Sequence, residues 1–235
     1  MKLTSIFGGK GREREKFSPE FIKEDLIGDP SAAIEQAGKE LGRLAGMCSE
    51  MAGGIMDMFR RKDPDFLHGL EEAYDKIEFL HDAVYEYLMK LFQARKDSGG
   101  VETETRYLTL LNELKLIASV VYRDIFPLAV ELTEKDLFFS PDGWKQINDY
   151  HFRIYSGLKK AIEGFFENSG EKAREVTEEK MEIVLLGKQL IELHIDRLHR
   201  GLKESLETSA IHLDLISQLR RVNSFATDIA YIVMG

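Results

Sequence analysis

Disulfides, membrane spans and dense basic surfaces are all missing from this sequence, and each absence narrows what it encodes. A single cysteine, Cys48, in 235 residues leaves no internal disulfide framework and no multi-cysteine metal site, so a reducing, cytosolic setting is expected. No run of about 18 apolar residues occurs, so no transmembrane segment is expected. The formal charge of −9, with no cluster of Lys and Arg after residue 16, argues against a nucleic-acid surface. Only five prolines are present, and that scarcity favours long helices. No glycine-rich phosphate loop occurs either: Gly8-Gly9-Lys10-Gly11 lacks the Gly-x-x-x-x-Gly-Lys-Ser/Thr spacing, and no strand pattern precedes it.

What is present is a repeated 3–4 apolar spacing, the inward stripe of a bundled helix. The first stripe is Ile34, Ala37, Leu41, Leu44, Cys48, Met51, Ile55 and Met58, with Asp29 or Ser31 placed to cap it beside Pro30. Cys48 on that stripe reads as a buried, inert thiol, and Met47, Met51, Met56 and Met58 read as core filling. A second helix begins at Asp63-Pro64-Asp65 and carries Leu67, Leu70, Tyr74, Ile77, His81, Val84, Leu88 and Leu91 before Asp97-Ser98-Gly99-Gly100 ends it. A third runs from Thr103 through Tyr107, Leu111, Leu114, Ile117 and Val121 to Pro127, which kinks or ends it. A fourth starts at Ser140-Pro141 and carries Trp144, Ile147, His151, Ile154, Leu158, Ala161 and Phe165. A fifth spans about Glu171 to Leu206, and a sixth carries Leu213, Ile216, Leu219, Val222, Ala226 and Ile229. No alternating strand pattern is visible. The expected fold is all-α: six long antiparallel helices in two tandem three-helix bundles, residues 30–136 and 137–235. Residues 1–29 read as a basic tail and linker. The stretch Met1 to Lys16 is too poor in apolar residues for a secretory signal; it reads as a flexible tail or as a tether to an acidic membrane surface.

The two sets of three helices share residues in order, as an internal repeat would. Helix two contains Ile77-Glu78-Phe79-Leu80-His81-Asp82, and helix five contains Ile191-Glu192-Leu193-His194-Ile195-Asp196. Aligning the isoleucines superposes Glu78 on Glu192 and Asp82 on Asp196. Leu114-Lys115 of helix three recurs as Leu219-Arg220 of helix six, with Ser119 matched by Ser224. Residues four apart share a helix face, so each acidic motif presents two carboxylates side by side. Such pairs ordinarily face solvent; turned inward, they need cations or a metal. Glu78-x-x-His81 and Asp196-x-x-His199 also have the spacing of di-iron carboxylate sites, but no inward Glu appears on helices one and four to complete one. Hydrogen-bonded structural roles suit His81 and His151 better.

The segment Leu206-Glu207-Thr208-Ser209-Ala210-Ile211-His212-Leu213-Asp214-Leu215-Ile216, continued by Leu219-Arg220-Arg221-Val222-Asn223-Ser224 and Ala230-Tyr231, resembles the PhoU-like domain that ends bacterial sodium/phosphate cotransporters. Ile27, Pro30 and Ala33 look like the entry to that domain. The resemblance implies two three-helix bundles and a non-catalytic regulator of phosphate uptake. Its partners would be a membrane phosphate transporter, a sensor kinase or other regulators. The chain would either stand free or form the cytosolic part of a cotransporter at the inner face of the membrane. Many members of the family hold iron or zinc through paired acidic motifs on neighbouring helices. Here Glu78/Asp82 and Glu192/Asp196 keep half of that pattern, while Lys115/Ser119 and Arg220/Ser224 stand where the facing ligands belong. The expectation is that Lys115 neutralises Glu78/Asp82 and Arg220 neutralises Glu192/Asp196, with no metal or other cofactor; a metal, if held, would sit on those four carboxylates. The alternative is a metal-binding helical bundle with a carboxylate/His di-metal site. Amphipathic helices also leave room for a homodimer seam.

Overall fold

The structure, a computed structural model, describes residues 17–94 and 101–235; the expected basic segment Met1 to Lys16 and the Asp97–Gly100 stop lie outside the described residues. Among the described residues nine α-helices follow a short 3₁₀ turn at Glu24–Leu26: α1 (Pro30–Gly53), α2 (Ile55–Arg61), α3 (Pro64–Ala94), α4 (Val101–Ser119), α5 (Phe126–Glu134), α6 (Pro141–Glu167), α7 (Gly170–His199), α8 (Lys203–Glu207) and α9 (Ser209–Met234). Among the described residues there is no strand, and no helix is long and apolar enough to cross a membrane.

Helix starts follow from local chemistry. Asp29 accepts the backbone N–H groups of Ser31 and Ala32 at 3.1 and 3.2 Å with Pro30 as first helical residue, so Asp29 rather than Ser31 caps α1. Ser140 does the same for α6 by accepting the Gly143 N–H, and Ser169 for α7 by accepting the Lys172 N–H. Asn168 closes α6 in the left-handed conformation, φ 51°.

Three of the expected helices depart from a single regular α-helix. The first stripe pauses at Gly54, yet Ile55, Met56, Met58 and Phe59 of α2 remain buried, so the apolar seam outlasts the helix that carries it. The fifth ends at His199 instead of Leu206, because Gly201 takes φ 68° and turns the chain into the short α8. The third is continuous but locally widened: Val120–Ile125 form a π-helical turn between α4 and α5. Pro127 at the start of α5 has no N–H to donate, and the wider turn lets Phe126 N–H reach Val121 O just before it.

Helices α1, α3 and α4 pack on one another, as do α6, α7 and α9, while α4 lies against α9 and α1 against α6. One continuous hydrophobic core runs through both sets. Its buried positions recur in order: Leu110, Leu111, Leu114, Ile117 and Val121 of the first set answer to Leu215, Ile216, Leu219, Val222 and Ala226 of the second. Residues 17–29, expected as linker, instead strap α1 to α3. Glu40, wholly buried, accepts the backbone N–H groups of Glu20 and Phe21 at 2.8 and 2.6 Å. Arg43 binds the same carboxylate at 2.7 Å, donates to Ser18 O at 2.9 Å, and lies over the Phe17 ring, which meets Phe79 edge-on. A buried carboxylate needs such partners, and this short extended segment supplies them.

Close approach of helices is set at Gly187, where an added Cβ would lie 2.7 Å from the hydroxyl oxygen of buried Tyr150. That hydroxyl has no hydrogen-bond partner. Gly187→Ala therefore lowers stability by about 1–2 kcal/mol, overpacking outweighing the gain of about 1 kcal/mol in helix propensity. Combined with Tyr150→Phe, which removes both the clash and the unpaired hydroxyl, the same change becomes neutral or stabilising. Urea unfolding of the single and double variants decides; a destabilised double variant would refute the packing account.

Candidate functional site

The face where α3 meets α4 and the π turn gathers the first acidic motif with cations and aromatic rings. Turning Val120–Ile125 into a π turn presents Tyr122, Arg123 and Asp124 in succession. Tyr122 stacks on Tyr74 of α3 with ring centroids 4.3 Å apart and gives its hydroxyl proton to Glu71. Arg123 donates to the Tyr74 hydroxyl at 3.2 Å and lies 3.5 Å from Glu78, which also accepts the Tyr74 hydroxyl at 2.8 Å. Burial, then the Glu78 hydrogen bond, push the Tyr74 hydroxyl pKa upward, so it remains a proton donor.

One turn along, His81 and Asp82 share a 2.8 Å hydrogen bond between Nδ1 and Oδ1, and Lys115 sits 3.6 Å from the same carboxylate oxygen. The carboxylate makes Nδ1 the protonated nitrogen. Burial and Lys115 hold the imidazole below its ordinary pKa, and the His81 hydrogen bond holds the Asp82 carboxyl below its own. Lys115 thus lies beside Asp82, while Glu78 is met by Arg123, a cation that the sequence reading passed over. The π turn explains the omission: it adds a residue to the helical turn and brings Arg123 onto this face, which an uninterrupted 3.6-residue period does not predict.

The second acidic motif is built differently. Glu192, Asp196 and Arg220 are all exposed, and among the described residues no ion pair joins Arg220 to either carboxylate. The expected neutralisation of Glu192/Asp196 by Arg220 is corrected by the register. The buried stripe of α7 is Ile183, Gly187, Leu190, His194 and Arg197, so Ile191 lies beside its stripe whereas Ile77 lies on its own. The isoleucine alignment therefore does not superpose the buried faces of the two helices, since successive residues stand about 100° apart around a helix. Glu192 and Asp196 point away from α9, although Arg220 follows Leu219 just as Lys115 follows Leu114. No group of three or more His, Cys, Asp or Glu side chains among the described residues is arranged to hold a metal ion. Cys48 is fully buried, 3.6 Å from Leu114 O, and burial pushes its thiol up to about 12. His151 is structural, its Nε2 bonded to Ala52 O at 2.8 Å.

What the sequence reading missed altogether is a buried polar cluster where α6, α7 and α9 meet. His194 and His212 stack with ring centroids 4.2 Å apart; His194 Nε2 lies 3.0 Å from Ser209 Oγ. Arg197 donates to Gln146 Oε1 at 2.7 Å and approaches His212 Nε2 at 3.5 Å. A signal existed: His194 and Arg197 continue the stripe of Leu190, and His212 precedes the stripe of Leu215 and Leu219.

Residues 147–233 match the PhoU domain family. The matched stretch runs from within α6 to α9 and takes in His194, Arg197, Ser209 and His212. The solved structure of PhoU from Pseudomonas aeruginosa superposes with a TM-score of 0.79 over 87% of this chain and 96% of that one, at 14% identity, and so shares the fold of both sets. Among curated relatives, the putative inorganic phosphate export protein YjbB of Salmonella typhimurium is 26% identical over 220 residues, and that of Escherichia coli K12 is 26% identical over 223. The alignments cover 92% of this chain but only 40% of those proteins. They are named for phosphate export, whereas the resemblance noted in the sequence implied sodium/phosphate cotransport.

Two outcomes test this geometry. In double-mutant cycles, Lys115→Ala with Asp82→Ala couples by at most about 1 kcal/mol, as exposed pairs do, and Arg220→Ala with Asp196→Ala shows no coupling. Acid acts on the cluster: burial first, then His194 and Arg197, push His212 from its ordinary 6.5 down to about 3, and burial also lowers His194 and His151. The unfolded chain therefore binds more protons than the native one between those values, and stability falls as pH drops below about 6.5 towards 3. Unfolding free energies measured from pH 7.5 to 4 decline less steeply in His212→Asn; equal slopes would contradict the assignment.

Proposed function

We propose that this chain is a non-catalytic regulatory domain in phosphate homeostasis that works by contact with a phosphate-transporting membrane protein or its regulators. The observation that carries this reading is the coincidence of two similarities over nearly the whole chain, the PhoU-like fold of both helical sets and the sequence likeness to phosphate export proteins. The chain spans about 40% of the length of those relatives, so the transporting activity their names suggest would belong to a partner or to a further part of the same polypeptide. The side chains described above support a contact role. Glu78, Asp82, Lys115 and Arg123 are occupied with one another, while Glu192, Asp196 and Arg220 are exposed and free of mutual pairing, as a recognition surface requires.

The test is phosphate efflux from bacteria that express a YjbB-type membrane portion with or without this chain. Efflux changes when the chain is supplied, and the triple variant Glu192→Ala, Asp196→Ala, Arg220→Ala, folded by circular dichroism, loses the change. An efflux rate indifferent to the wild-type chain would overturn the regulatory reading. Elemental analysis of chain purified without chelator addresses the di-metal alternative: metal at trace level agrees with Lys115 and Arg123 as the partners of the first motif, and stoichiometric iron or zinc would displace that account.

A further inference from the structure

Arg197 is 5% exposed, and among the described residues no carboxylate lies within 4 Å of it. A buried cation without an anion is costly, and this protein elsewhere observes the rule: Arg43, also largely buried, is bonded to Glu40 at 2.7 Å. Around Arg197 every contact is neutral. Gln146 offers a carbonyl oxygen, and His212 must accept at Nε2 because a guanidinium only donates, which leaves that imidazole uncharged. Asp142, on the exposed first turn of α6, acts on Arg197 only at a distance. The end of α7 contributes its partial negative charge, about half a unit, and does not complete the balance.

Unused hydrogen-bonding capacity accompanies the unbalanced charge. Arg197 Nε and His194 Nδ1 are buried without a partner. Hydroxyl groups border the same spot: Ser209 at the start of α9 touches His194, and Ser205 of α8 touches Ser140, the cap of α6, at 3.4 Å. Two long helices thus begin at this cluster, and their N-terminal ends carry partial positive charge. One cation, two imidazoles, several hydroxyls and no acid form the donor set of an oxyanion receptor, and the burial restricts it to a small one.

We infer that the Arg197–His194–His212–Ser209 cluster binds a small free oxyanion, of the size and charge of inorganic phosphate, beneath the α7–α8–α9 turn. The inference does not depend on the regulatory role, and its failure leaves the contact reading untouched, because the two are measured separately.

Thermal unfolding with sodium phosphate, against sodium chloride at equal ionic strength, is the test. Wild type gains a saturable rise in Tm of about 2–4 °C at a few times the Kd, and Arg197→Gln abolishes it. No rise beyond that in chloride overturns the proposal, as does an equal rise in Arg197→Gln, which would place the phosphate on surface cations. Should Arg197→Gln fail to fold, the imidazole ¹⁵N resonances of His194 and His212 in wild type are the readout: both move along a saturable curve with added phosphate and not with chloride. Resonances that stay in place overturn the inference.

Discussion

Everything in this molecule depends on burial of the stripe that α4 and α9 present to each other and to their flanking helices. Leu110, Leu111, Leu114 and Ile117 on one, and Leu215, Ile216, Leu219 and Val222 on the other, join two three-helix sets into one core. Apolar area removed from water is the main favourable term in folding. It tolerates polar groups only where they are bonded, as with Glu40 under the strap and His151 against Ala52 O. The charged features lie along the margins of this seam, one residue from it in Lys115 and Arg220.

The fold was legible because the signal for a bundled helix is redundant. The quoted stripes are sampled five to eight times, so partly buried Ile34 or His81 does not obscure them. Breaks were less visible. Gly54 and Gly201 resemble the glycines that helices tolerate, and Pro127 announces a disturbance without saying that the backbone answers it with a wider turn. The linker expectation for residues 17–29 failed because its partners, Glu40 and Arg43, look like ordinary surface charges until their burial is known.

The site was harder to read because charge pairing depends on register, and register is known only to within a residue until packing fixes it. Isoleucine on isoleucine was the natural alignment, yet Ile77 is buried and Ile191 only partly so, and that difference of face separates a motif that meets Lys115 and Arg123 from one that does not meet Arg220. The buried cluster escaped for a related reason. Arginine on an apolar stripe reads as an interruption, and only its neighbours His194 and His212, one of them on another helix, reveal a shared interior.

The strap over α1 and α3 has a consequence for how this unit joins whatever lies before residue 17. Glu40 grips two successive peptide groups with Arg43 as a brace, and Phe17 against Phe79 and Glu24 against Lys90 tie the segment to α3. Its helical content is the short 3₁₀ turn at Glu24–Leu26, so it can release as a unit while α1, α3 and α4 stay wound. A pull or a competing cation acting on Phe17–Phe21 would therefore meet a detachable fastening, and the bundle would keep its shape when the fastening opened.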